Sequence, residues 1–166
     1  MLSLCAIARI ATPIGLVVLT ATDAVLISVR IDPVNIGPSH IPAGHRLLET
    51  AAAQIQDWFA GKRKGFDLPL TPLNTQRGEA LRTGIAAIEY GHTLTYGELA
   101  ERIGSAARAA GQACRRNPFP IIIPCHRVTS AGIQEFYSGG EGQRTKAWLI
   151  AFEQGKPYRY GSDLLI

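Results

Sequence analysis

The chain has 166 residues, 46% of them apolar and 18% charged, and a formal net charge of +4. That length holds one large domain or two small ones, and the balance excludes disordered, fibrous and membrane-embedded classes. Three cysteines, at 5, 114 and 125, form no CxxC pair, which excludes a disulfide framework and suits a reducing, cytoplasmic setting.

The first 31 residues are apolar but interrupted by Arg9, Pro13, Gly15, Thr20 and Asp23, with no basic stretch at the start. Neither a signal peptide nor a membrane span is predicted. Leu2 to Ile10, Gly15 to Thr20 and Ala24 to Ile31 read as a three-stranded meander, separated by turns at Thr12-Pro13-Ile14-Gly15 and Thr22-Asp23. After a loop from Pro33 to Pro42, His45 to Phe59 carries Leu47, Leu48, Ala51, Ile55 and Trp58 at helical spacing, and Gly61 suits its end. A short extended piece follows at Phe66 to Leu70. Pro69, Pro72 and Asn74 then mark a linker, which predicts an α/β domain over residues 1–70 and a second domain over 76–166.

The second domain reads as mainly helical. Gly78 to Glu89 is a helix on Leu81, Ile85 and Ile88. Thr95-Tyr96-Gly97-Glu98 has the form of a capping box and opens a helix to Ile103. Gly104 turns the chain, and Ser105 is expected to cap a further helix through Ala113. Two short helices joined by a glycine turn suggest helix-turn-helix. In the second helix nearly every residue is tiny, while Arg108, Gln112 and Arg115 share one face. Such a helix suits close approach to a nucleic-acid groove; it equally suits tight packing on a neighbouring helix. From Arg102 to Gln134 there are five arginines (102, 108, 115, 116, 127) and no acidic residue, a local charge suited to phosphate. Ile121-Ile122-Ile123 reads as a buried strand ended by Pro124, with Cys125-His126-Arg127 at its tip. A thiol flanked by imidazole and guanidinium is a candidate nucleophile. Cys5, His40, His45 and His92 lack ligand spacing, so no metal and no cofactor is predicted.

Together these motifs resemble the O6-alkylguanine-DNA alkyltransferases. The resemblance is carried by Pro124-Cys125-His126-Arg127-Val128, by Ala107-Arg108-Ala109 with Arg116-Asn117-Pro118, by Thr95-Tyr96-Gly97-Glu98, by Tyr137-Ser138-Gly139-Gly140 and by Lys146-Ala147-Trp148-Leu149 with Glu153. Trp58-Phe59-Ala60-Gly61 matches more loosely in the first half. The resemblance implies an α+β protein, with an RNase H-like meander-and-helix domain followed by a helical domain bearing the helix-turn-helix. It implies single-turnover DNA repair on double-stranded DNA containing O6-alkylguanine, with no membrane and no obligate protein partner. Cys125 would take the alkyl group, and His126, through a water, would take the thiol proton. Glu153 would orient His126, Tyr96 would protonate the departing guanine, and Asn117 would hold the hinge. Arg108 would fill the place of a flipped nucleotide in the minor groove. Thr95, Tyr96, Ala106, Ala107, Gln112 and Arg115 would contact DNA. Pro120, Val128, Tyr137, Ser138, Gly139 and Cys114 would shape the substrate pocket.

Two features depart from the family pattern. Glu135 and Phe136 stand where small or polar residues are usual, and Arg82 replaces an expected tryptophan. A non-catalytic sensor of alkylated DNA is the main alternative. A helix-turn-helix regulator would want a bulkier recognition helix, and a Cys-His hydrolase would leave the arginines unexplained.

Overall fold

The structure, a computed structural model, describes residues 4–34, 37–131, 137–160 and 163–165. It is of the α+β class and divides into two compact units, Met1–Pro72 and Leu73–Ile166.

In the first unit, β1 (Ala6–Thr12), β2 (Gly15–Ala21) and β3 (Leu26–Asp32) form an antiparallel sheet in the order β1-β2-β3. β1 begins later than the apolar run suggests, at Ala6. β3 also begins late, because the Thr22 hydroxyl accepts hydrogen bonds from the Ala24 and Val25 amides and holds both in a turn. α1 (Arg46–Phe59) is capped by His45, whose Nδ1 accepts from the Leu48 amide at 3.2 Å. Its buried stripe of Leu48, Ala51, Ala52, Ile55 and Trp58 has the three- and four-residue spacing that packs a helix on a sheet. Buried Gln54 exchanges two hydrogen bonds with the backbone of Asp67. That side chain fixes the extended piece, which bridges Leu26 through Leu70.

The second unit opens with α2 (Gln76–Ala86), two residues earlier than expected, because Thr75 caps it by accepting from the Gly78 amide. β4 (Leu94–Thr95) leads straight into α3 (Tyr96–Ile103), where the Thr95–Glu98 capping box forms in full. A Cβ on Gly84 would come within 2.6 Å of the Ile103 side chain, so only glycine lets α2 and α3 approach this closely. Gly104 ends α3 at φ 64°, the left-handed conformation that favours glycine. α4 covers Ala107–Arg115 with Ala106 at its N-cap and no side-chain cap. The expectation for Ser105 therefore fails: its amide bonds to the Ala100 carbonyl and closes α3 instead.

The predicted strand at Ile121–Ile123 is also overturned. These residues are buried, at 1%, 8% and 7% exposure, but they form a turn. Pro118 and Pro120 supply no amide hydrogens for a ladder, and Ile121 has φ 74°. The chain curls around Asn117, whose Oδ1 accepts from Phe119 N and whose Nδ2 donates to Ile123 O. A positive φ on a β-branched residue costs on the order of 1–3 kcal/mol and persists only where neighbours enforce it.

Cys125–Arg127 then forms a single 3-10 turn, followed by β5 (Val128–Thr129), which pairs in parallel with β4. α5 spans Gln143–Glu153, and β6 (Tyr158–Tyr160) and β7 (Asp163–Leu165) form a hairpin that the sequence did not signal. No helix among the described residues is long and apolar enough to cross a membrane.

Candidate active site

Cys125 opens the 3-10 turn and is 3% exposed. Its amide donates to the Ile123 carbonyl at 2.7 Å, and the Arg127 amide donates to that of Pro124 at 2.9 Å. The thiol is thus fixed by backbone on both sides. Asn117 Nδ2, besides holding Ile123, lies 3.2 Å from Cys125 Sγ. One amide therefore ties the Ile121 turn to the nucleophile.

His126 is fully buried, and its Nε2 lies 2.8 Å from Glu153 Oε1, at the C-terminal end of α5. With Nε2–H donated to a carboxylate, Nδ1 is the acceptor nitrogen of the neutral ring. Glu153 gathers further donors. Arg127 Nε lies 2.9 and 3.1 Å from its two oxygens, Arg127 Nη2 lies 2.8 Å from Oε1, and the Gly91 amide donates to Oε2 at 3.2 Å. Arg127 Nη1 donates to the Ile88 carbonyl at 2.6 Å, and its guanidinium lies over the Tyr90 ring. The carboxylate and the guanidinium are thus bonded along their edges, as a buried ion pair requires, while His126 Nδ1 is buried with no hydrogen-bond partner among the described residues.

Protonation follows from these contacts. Burial pushes the Cys125 thiol up, and the bonds from Asn117 and the nearby Lys146 charge only partly offset this, so the resting form is the thiol. Burial pulls His126 below its ordinary 6.5 despite Glu153, so the imidazole is neutral and able to accept a proton. For Glu153 burial acts upward, but the hydrogen bonds from His126 and Arg127 outweigh it and bring the pKa from 4.5 to about 2. A buried thiol, a neutral imidazole and a permanent carboxylate form a graded set suited to nucleophile activation.

The parallel β4–β5 pair aligns Leu94 with Val128 and Thr95 with Thr129. Tyr96 is the next residue after β4 and the first of α3. Lys146 on α5 is 1% exposed, donates to the Val128 carbonyl at 2.6 Å and sits 5.8 Å over the Tyr96 ring. Of the residues expected to shape the pocket, Val128, Pro120, Tyr137, Gly139 and Cys114 are buried and Ser138 is exposed. The Tyr137 hydroxyl is buried without a hydrogen-bond partner among the described residues. Burial and the nearby Cys125 push the Cys114 thiol up to about 12. Glu135 and Phe136 lie outside the described residues.

On α4, Ala106, Ala107, Arg108, Gln112 and Arg115 are exposed, while Ala110 and Cys114 are buried. Arg108, Gln112 and Arg115 do form one outward face. Arg127, grouped in the sequence with the phosphate-suited arginines, is instead buried at 6% exposure and bound to Glu153. Its role was missed because burial cannot be read from a charged residue inside a motif. The sequence marks Lys146 only as part of a matching motif, and its one signal of burial is its place next to apolar positions. Arg82, at the expected tryptophan's place, lays its guanidinium 5.3 Å over the Phe119 ring, so a cation–π contact replaces the indole.

A family profile described as the DNA-binding domain of 6-O-methylguanine DNA methyltransferase matches residues 79–155. The methylated-DNA–protein-cysteine methyltransferase of Mycolicibacterium paratuberculosis is 36% identical over 148 residues, covering 86% of this chain and 88% of that protein. The protein of the same description from Methanosarcina acetivorans is 46% identical over 83 residues; that match spans 49% of this chain and only 53% of the relative. The crystal structure of Mycobacterium tuberculosis OGT in complex with DNA superposes with a TM-score of 0.74 at 32% identity, covering 90% of this chain and 93% of that one.

Proposed function

Because the chain belongs to the methylated-DNA–protein-cysteine methyltransferase family, we propose that it repairs O6-alkylguanine in DNA by taking the alkyl group irreversibly onto Cys125. DNA repair by alkyl transfer to a cysteine is the activity of that family, and DNA binding belongs to the domain that residues 79–155 match. The observation that carries the assignment to Cys125 is the thiol held by Asn117 beside a buried, neutral His126 on an ionised Glu153.

The reaction is a displacement at carbon. Cys125 sulfur forms the new bond to the alkyl carbon, and the bond from that carbon to guanine O6 breaks. The thiol proton passes through an intervening water to His126 Nδ1, and Glu153 stabilises the imidazolium. Tyr96 gives a proton to a ring nitrogen of the departing guanine, so the base does not leave as an anion. The thioether is inert to water, so each chain acts once. Lys146 keeps the Val128 carbonyl and Tyr96 in register. Pro120, Val128, Tyr137, Ser138, Gly139 and Cys114 enclose the guanine and its alkyl group.

The target atom is inside the duplex, so the nucleotide is extruded at a cost of a few kcal/mol. α4 enters the minor groove, where its alanines permit close approach, and Arg108 occupies the vacated place in the stack. Thr95, Ala106, Ala107, Gln112 and Arg115 contact the backbone around it. The protein works in the cytoplasm, where a free nucleophilic thiol stays reduced, and needs no obligate protein partner.

The test is intact-protein mass after mixing with duplex DNA carrying O6-methylguanine. A gain of one methyl group, absent in Cys125→Ser, is expected. Tight binding to the damaged duplex without any mass gain would mean a sensor of alkylated DNA instead.

A further inference from the structure

A cavity of about 610 Å³ opens between α2 and α4. Its lining does not include Cys125. Leu73, Leu81, Ile85, Ala113 and Ile123 give it an apolar floor, and Leu73 is 38% exposed there. Arg77, Arg82, Arg108 and Arg116 stand in its wall, and no acidic residue lines it. Arg82 is committed to the Phe119 ring and lies 4.0 Å from Glu79. Arg77 and Arg116 are exposed on the rim, one on α2 and one just past α4.

The position of this groove on α4 is informative. Successive residues of a helix turn by about 100°. Ala109, Gln112, Ala113 and Arg116 therefore form the flank that faces the groove. Gly111 lies on the opposite flank, where a Cβ would reach 4.0 Å from the Tyr96 ring. Arg108, Gln112 and Arg115 make the face between the two flanks. A helix in the minor groove has one DNA strand along each side. If the damaged guanine is extruded towards Tyr96 and Cys125, the other strand passes the α2 side.

We propose that this groove is the binding site for the DNA strand opposite the extruded guanine. Its sugars lie on the apolar floor, and its phosphates pair with Arg77 and Arg116. Charge complementarity and continuity with the DNA-facing residues of α4 select this occupant. The assignment rests on the repair reading given above. It adds a second role to α2: the helix grips the undamaged strand and so favours duplex over single-stranded substrate.

The test compares Arg77→Ala/Arg116→Ala with wild type on three substrates. These are O6-benzylguanine as the free base, a single strand carrying O6-methylguanine, and the same strand annealed to its complement. Methyl or benzyl uptake from the first two should match wild type. Affinity for the duplex should fall about tenfold or more, and the slope of log affinity against log salt should become shallower by about two. Ala113→Trp, which fills the groove without changing charge, should weaken duplex binding and spare the single strand. Equal losses on single strand and duplex, or no loss on duplex, would overturn the assignment. A wild-type protein that takes no alkyl group from any of the three would sink the repair reading itself, a result distinct from both.

Discussion

The cysteine turn and the recognition helix use arginine in opposite ways. Arg127 is buried, with Nε and Nη2 bonded to Glu153 and Nη1 to a backbone carbonyl. Arg108 is exposed on a helix stripped of bulk. The first arginine holds a carboxylate ionised within the protein; the second is left available for a polyanion outside it. Burial converts a cation from a ligand for phosphate into an internal electrostatic fixture.

That contrast can be broken from either side, most severely at the carboxylate. Glu153→Gln removes the charge that both His126 and Arg127 face. Alkyl uptake from the free base should slow by about 10²-fold or more, measured by quenched-flow mass spectrometry. Urea unfolding should lose about 3–5 kcal/mol, because Arg127 is left buried and uncompensated. Arg108→Ala is the counterpart. It should leave stability within about 0.5 kcal/mol and uptake from free base unchanged, while repair in duplex DNA drops by tenfold or more. Equal losses on base and duplex would remove Arg108 from the stack-filling role.

Smaller effects sharpen the comparison. Asn117→Ala leaves the Phe119 amide without its partner and the Ile123 carbonyl with the Cys125 amide alone, and should cost about 1–3 kcal/mol. It also removes a bond that lowers the Cys125 pKa, so alkylation by iodoacetamide at fixed pH should slow. The mildest test is pH. His126 and Glu153 both have folded-state pKa values below their ordinary 6.5 and 4.5. The unfolded chain therefore binds more protons, and stability falls on acidification. His126 contributes a loss beginning as pH drops below 6.5. Glu153 contributes stability present above 4.5 and lost as pH falls towards about 2. Denaturation of Glu153→Gln across the lower window should show a flatter pH dependence than wild type.

The three-stranded meander, α1, the capping box and the helix pair were all legible in the sequence, since each rests on local periodicity or a cap. The turn at Ile121 was not. Three isoleucines look like a strand until Pro118, Pro120 and the Asn117 side chain are seen to curl the chain, a matter of three-dimensional hydrogen bonding. Ser105 misled because the end of α3 competes for it. The motif pointed to Cys125, His126, Glu153 and Asn117, and the fold brings them together. It could not say that Arg127 turns inward or that Lys146 reaches the Val128 carbonyl, because those fates depend on residues far apart in the chain. The groove between α2 and α4 arises from two helices that no local pattern relates.

The most direct test is stoichiometry with location. The protein is incubated with a large excess of O6-methylguanine duplex, and the methyl is mapped by peptide mass spectrometry. The prediction is a plateau at one methyl per chain, all on Cys125, with Cys5 and Cys114 silent. Continued turnover beyond one equivalent, or methyl on Cys5 or Cys114, would contradict it.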